Sequence, residues 1–123
     1  MRLLIGTALA LAPLMAIANC LSYEREATLT GVVRFERATV GDRVERVPNL
    51  YLNTAVCTEG QGSDRVYVRR EGVASVQLVL PPDLLNKVAE NRPVTVLGTL
   101  TGRITGNPRI PVVLRVRLVK SPA

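Results

Sequence analysis

Residues 73–100 read VASVQLVLPPDLLNKVAENRPVTVLGTL. In the first part Ala74, Val76, Leu78 and Leu80 alternate with Ser75, Gln77 and Val79, the two-residue period of a half-buried strand. Pro81-Pro82 ends it. Asp83 then reads as the cap of a short helix, its carboxylate taking the orphan amides of the first turn. Leu84, Leu85 and Val88 have helical spacing and form the expected buried stripe. Asn91 suits a left-handed closing position, and Pro93 forbids continuation. A helix of about two turns depends on tertiary packing to persist. Val94 to Leu100 resumes the alternation, with Val94, Val96, Gly98 and Leu100 on one face.

Two strands precede this unit and one follows it. Ala27 to Phe35 places Leu29, Gly31, Val33 and Phe35 on one face, and a glycine inside a strand marks a bulge or a sharp bend, as at a barrel corner. Glu36 to Asn49 is charged, contains Gly41-Asp42 and Pro48, and reads as a long loop or a frayed hairpin extension. Leu50 to Cys57 is the second strand, with Leu50, Leu52 and Val56 inward. Thr58 to Arg65 is a loop, and Val66 to Val68 a short strand piece. After a loop over Thr101 to Pro111, Val112 to Val119 is the last strand. Val112, Leu114, Val116 and Leu118 point inward, and Val113, Arg115 and Arg117 outward.

Three strands, a short helix and two strands is the order of an OB-fold, a small five-stranded Greek-key barrel. Five alternating strands also fit an open β-sandwich. The lone helix between the third and fourth strands decides for the barrel.

The N-terminal stretch says where the domain goes. Arg2 is followed by an uncharged run from Leu3 to Ala18 that closes on Ala16-Ile17-Ala18. A basic start, an apolar run and a small-x-small end read as a secretory signal peptide over residues 1–18. A single domain over residues 19–123 would fold outside the cytoplasm, in the periplasm or secreted. A retained anchor is the competing reading, but the run is short of the ~20 residues that span a bilayer, and Pro13 interrupts it. A lipoprotein is another, because Cys20 lies just past the run. The small residue such a cleavage site wants before the cysteine is here Asn19.

Composition narrows the function classes. The net charge is +6, and the chain has no histidine. Without histidine the usual general base near neutral pH and the commonest metal ligand are missing. The aromatic residues are Phe35, Tyr23, Tyr51 and Tyr67, too few for a stacking platform for single-stranded nucleic acid. No phosphate loop, zinc spacing or nucleophile motif occurs, and no cofactor, metal site or catalytic residue is assigned. Lys87 and Lys120 are the lysines among sixteen basic residues, the rest being arginine, whose fork suits carboxylate and phosphate. The two cysteines, Cys20 and Cys57, suggest one disulfide in an oxidising compartment. A reactive thiol at Cys57 is the alternative, although no acid–base partner stands out for it.

Several segments resemble one family. Cys20-Leu21-Ser22-Tyr23-Glu24, Leu29-Thr30-Gly31, Val56-Cys57, Val76-Gln77-Leu78-Val79, Val94-Thr95-Val96-Leu97-Gly98-Thr99-Leu100, Thr105-Gly106 and Pro111-Val112-Val113-Leu114 are similar, in order, to the small exported bacterial domains catalogued as domain of unknown function 4431. The resemblance implies a periplasmic or secreted β-barrel with no established activity. Relatives often carry histidines after the Thr-Gly pair, where this chain has Asn107-Pro108-Arg109, so no metal or acid–base role carries over. Their segment between the first two strands is also richer in Pro and Gly than Thr39 to Pro48.

An OB barrel presents ligands to the face of its second and third strands and to the loops joining strands 1–2 and 4–5. Here those loops hold Arg43 and Arg46, then Arg103 and Arg109. Facing one another, they would form a cationic rim for an anionic glycan or an acidic envelope protein. A merely solvated basic surface is the competing reading. Nucleic acid is disfavoured as a partner by export.

Overall fold

The computed structural model describes residues 20–60, 67–102, 110 and 112–120. The elements are β1 (Cys20–Ser22), β2 (Glu26–Val40), β3 (Arg43–Glu59), β4 (Arg70–Val79), the helix α1 (Pro82–Leu85), β5 (Pro93–Thr101) and β6 (Val113–Lys120). The sheet order is β1-β3-β2-β5-β6-β4, and a further β3–β4 pairing closes it. The result is a closed five-stranded barrel of OB-like form with β1 as an added strand. All pairings are antiparallel except β1–β3 and β4–β6.

Alternation fills the barrel in cross-strand rows. Val33, Leu50 and Val76 stand opposite one another on β2, β3 and β4, and Leu78, Leu114 and Leu100 on β4, β6 and β5. All six are buried. Leu29, Val94, Val96 and Val116 complete the interior with Leu84 and Val88 from below.

Gly31 is where β2 changes partners. Residues 26–32 pair with β5 and residues 31–40 with β3, so Gly31 faces both Val94 and Leu52. A Cβ there would run into the backbone carbonyl of Tyr51. The sharp bend expected of this glycine is a close approach of two backbones at the barrel corner. Gly98 is similar: a Cβ would meet the carbonyl of Arg115, beside an irregularity in the β5–β6 register.

That irregularity corrects one inward assignment. Leu97 pairs with Leu118 but Gly98 with Val116, so the phase of β6 slips there. Leu118 is 38% exposed, and Val119 packs against the core instead. A second slip, between the Tyr51–Ser75 and Val56–Val73 pairs, leaves Ala74 exposed and brings Val73 into the core. β4 starts at Arg70. Tyr67 and Val68, expected in a strand, lie outside it, and Val66 lies outside the described residues.

The helix also differs from its sequence pattern. It is one turn long, its N-cap is Pro81 with no side-chain cap bond, and Asp83 sits within the first turn. Two consecutive prolines already fix an extended-to-helical entry, and so short a helix has one buried side: Leu84 and Val88 face the core while Leu85 is 46% exposed. Asn91 is left-handed (φ 64°) as expected, and its amide donates to the carbonyl of Val33 at 2.7 Å.

Of the two readings of residues 36–49, the hairpin holds. Val40 pairs with Arg43 across a Gly41-Asp42 turn, with Gly41 at φ 62°, as a two-residue hairpin requires.

The two cysteines form a disulfide, with Cα atoms 4.5 Å apart, and no free cysteine remains. Cys20 stands opposite Cys57 in the parallel β1–β3 pair, on the edge of β3 beyond its last β2 partner at Leu52. Tyr23 follows directly and is 1% exposed. Its hydroxyl donates to the Val68 carbonyl at 2.7 Å and lies 3.1 Å from Thr58 Oγ1. The disulfide and this ring together hold the start of the described chain against the barrel. Among the described residues no helix is long and apolar enough to cross a membrane.

Candidate functional site

Over residues 35–48, β2 and β3 pair with each other alone. The β5 partners of β2 end at Val32, and the β4 partners of β3 begin at Asn49. The ladder thus continues past the barrel as a two-stranded arm. An isolated hairpin is marginal in water, so the arm depends on its base, where two contacts serve. Arg46 Nη2 donates to the Phe35 carbonyl at 2.9 Å and approaches Glu90 Oε1 at 3.5 Å, tying the arm to the turn before β5.

The arm carries two of the four arginines assigned to a rim. The exposed Arg43 pairs with the half-buried Glu45 at 2.9 Å, and Arg46 has the contacts just given. Three residues apart in a regular ladder, they project to opposite faces of the ribbon. Arg103 and Arg109 lie outside the described residues. On the face that Arg46 shares with Val44, Arg37 stands directly opposite Arg46. A shallow depression there is lined by Arg37, Val44, Glu45 and Arg46.

The outer face of the second and third barrel strands, here β3 and β4, carries a different chemistry. Arg34, Asn49, Gln77 and Val113 form one cross-strand row. Glu36 lies next to it. Asn49 Nδ2 donates to Glu36 Oε1 at 2.7 Å, and the Tyr51 hydroxyl donates to the same carboxylate at 2.7 Å. The Arg34 guanidinium sits 5.3 Å from the Tyr51 ring centroid, within cation–π range. Burial pushes the Glu36 pKa up, but the hydrogen bonds from Asn49 and Tyr51 and the charge of Arg34 outweigh it, and the net shift is downward from 4.5. Glu36 is therefore a fixed carboxylate at neutral pH, and its bonds orient the Asn49 amide. Asn49 is 1% exposed although it points out of the barrel. Its Oδ1 and the neighbouring Gln77 Oε1 are enclosed acceptors with no hydrogen-bond partner among the described residues, a place suited to a donor such as a buried water.

Sequence reasoning missed this cluster. Asn49 and Tyr51 share one face of β3, but Glu36 lies on β2 and belongs with them to no known motif; only the β2–β3 register brings its carboxylate to them. Among the described residues no three of His, Cys, Asp or Glu gather as a metal site would require. The Cys20 sulfur that thioether lipidation would need is taken by Cys57.

No protein-family model matches the chain, and no curated protein is significantly similar to it.

Proposed function

We propose that the chain is an exported, non-enzymatic binding domain of the cell envelope whose ligand is an anionic glycan or an acidic protein. The observation that carries this reading is the arm. It continues the β2–β3 ladder past the barrel and presents Arg37, Arg43 and Arg46, with Arg34 just below its base, all exposed, beside the face that OB barrels use for ligands. Arginine forks onto anionic oxygens, and the net charge of +6 attracts polyanions at range. The disulfide supports export, since such bonds persist in oxidising compartments. The resemblance to the small exported domains points the same way, to a periplasmic or secreted protein trimmed of residues 1–18.

The test is retention of the oxidised chain, residues 19–123, on an immobilised sulfated glycan, with uncharged dextran as the control. The reading expects retention at physiological salt and none on dextran. Elution below physiological salt, the behaviour of nonspecific basic attraction, would overturn it.

A further inference from the structure

Arg37 and Arg46 stand directly opposite each other on the arm. Cβ atoms so placed are ~5 Å apart, and like charges there repel. The two guanidinium groups are held differently. Arg46 is fixed by its 2.9 Å bond to the Phe35 carbonyl, while Arg37 is exposed and makes no ion pair among the described residues. Both line the same open depression. Two carboxylates are near it. Glu90 reaches Arg46 at 3.5 Å, and Glu45 is held by Arg43 at 2.9 Å. One anchored and one free arginine therefore converge on a concave, solvent-open spot whose nearby carboxylates are Glu45, already paired with Arg43, and Glu90, loosely placed at 3.5 Å from Arg46.

We propose that this depression binds a tetrahedral oxyanion, the sulfate or phosphate group of an anionic glycan. Two guanidinium forks meet such a group with paired charge-assisted hydrogen bonds. The anion removes the repulsion between the arginines and displaces Glu90 from Arg46. A membrane surface is the less suited partner, because among the described residues Val44, 58% exposed, is the single apolar side chain lining the spot. The assignment rests on the anion-binding reading above and names the residues that would do it.

The probe is inorganic sulfate, followed through the arginine Nε–Hε NMR signals of the oxidised chain, with sodium chloride at matched ionic strength as the reference. The Arg37 and Arg46 signals shift and saturate with sulfate but not with chloride. Arg37→Ala weakens sulfate binding by about tenfold. Glu90→Gln tightens it, and Arg69→Ala, which lies off the arm beside Glu71, leaves it unchanged. Equal shifts with chloride, or an Arg69→Ala loss as large as that of Arg37→Ala, would overturn the site. Binding to anionic lipid vesicles that depends on Arg37, without binding to a sulfated tetrasaccharide, would overturn the glycan assignment. Glycan retention that survives Arg37→Ala and Arg46→Ala contradicts this subsite while leaving the binding domain standing. A sulfate response without any glycan retention does the reverse.

Discussion

Gly31 lies so close to the carbonyl of Tyr51 that a Cβ has no place between them. The contact exists because β2 leaves β5 for β3 at this residue, and the two backbones cross where the barrel turns its corner. Gly98 meets the carbonyl of Arg115 in the same way. Gly41 and Gly72 differ: their surroundings are open and only their positive φ favours glycine. Replacing Gly31 or Gly98 by alanine is therefore expected to cost about 3 kcal/mol through forced backbone movement. The same change at Gly41 or Gly72 should cost ~1 kcal/mol through left-handed strain alone. Urea denaturation of the four variants measures the order, and equal costs at all four would show that the corner is not closely packed.

The disulfide closes a long loop, its cysteines 37 positions apart in the sequence. Chain-entropy reasoning gives about 4 kcal/mol for such a loop, a large share of a small domain's net stability. The Cys20→Ser/Cys57→Ser double variant is expected to lose most of that while keeping its barrel, because the buried Tyr23 holds the same end through Val68 and Thr58. Hydrogen exchange should show protection lost in β1 and kept in β2 and β5. Loss of protection throughout would mean that the bridge, not the ring, organises this end.

Tyr23→Phe removes the donor to the Val68 carbonyl and leaves the ring in place. A cost of ~1–2 kcal/mol is expected, the usual range for a buried bond of this kind, partly relieved because Thr58 Oγ1 lies 3.2 Å from the same carbonyl. Thermal denaturation measures it. An unchanged midpoint would show that Thr58 alone satisfies Val68.

Glu36 gives a pH dependence with a definite sign. Its folded pKa is lowered from 4.5, so between the folded and unfolded values the unfolded chain binds more protons. The stabilisation is present above 4.5 and is lost as pH falls through the folded value. Tyr51→Phe removes one of the bonds that hold the carboxylate ionised, so the Glu36 pKa should rise in an NMR titration. Glu36→Gln should make stability less steep in acid. A Tyr51→Phe variant with an unmoved Glu36 would contradict the assigned cause.

Much of the barrel was readable from alternation. Val94, Val96, Gly98 and Leu100 face inward as their period of two requires, and so do Leu50, Val76, Leu78 and Leu114. Errors fell where the register slips. Leu118 and Ala74 obey a local alternation that the irregular pairings at Leu97–Gly98 and Tyr51–Val56 interrupt, and no local pattern reports a long-range slip. Asp83 and Leu85 were misread because a one-turn helix has neither the length for a stripe nor a free N-cap after two prolines. Of the expected rim, the arm placed Arg43 and Arg46 on opposite faces. The opposed pair Arg37 and Arg46 could be found only once the Gly41-Asp42 turn fixed which residues face each other.

The most direct test of the central claim, an exported barrel stapled at its N-terminal edge, is the intact mass of the protein isolated from its native cells without reductant. The account predicts a chain beginning at Asn19, lighter by two hydrogens than its reduced form and carrying no lipid. A chain that retains residues 1–18, a diacylglyceryl adduct on Cys20, or two free thiols would contradict it.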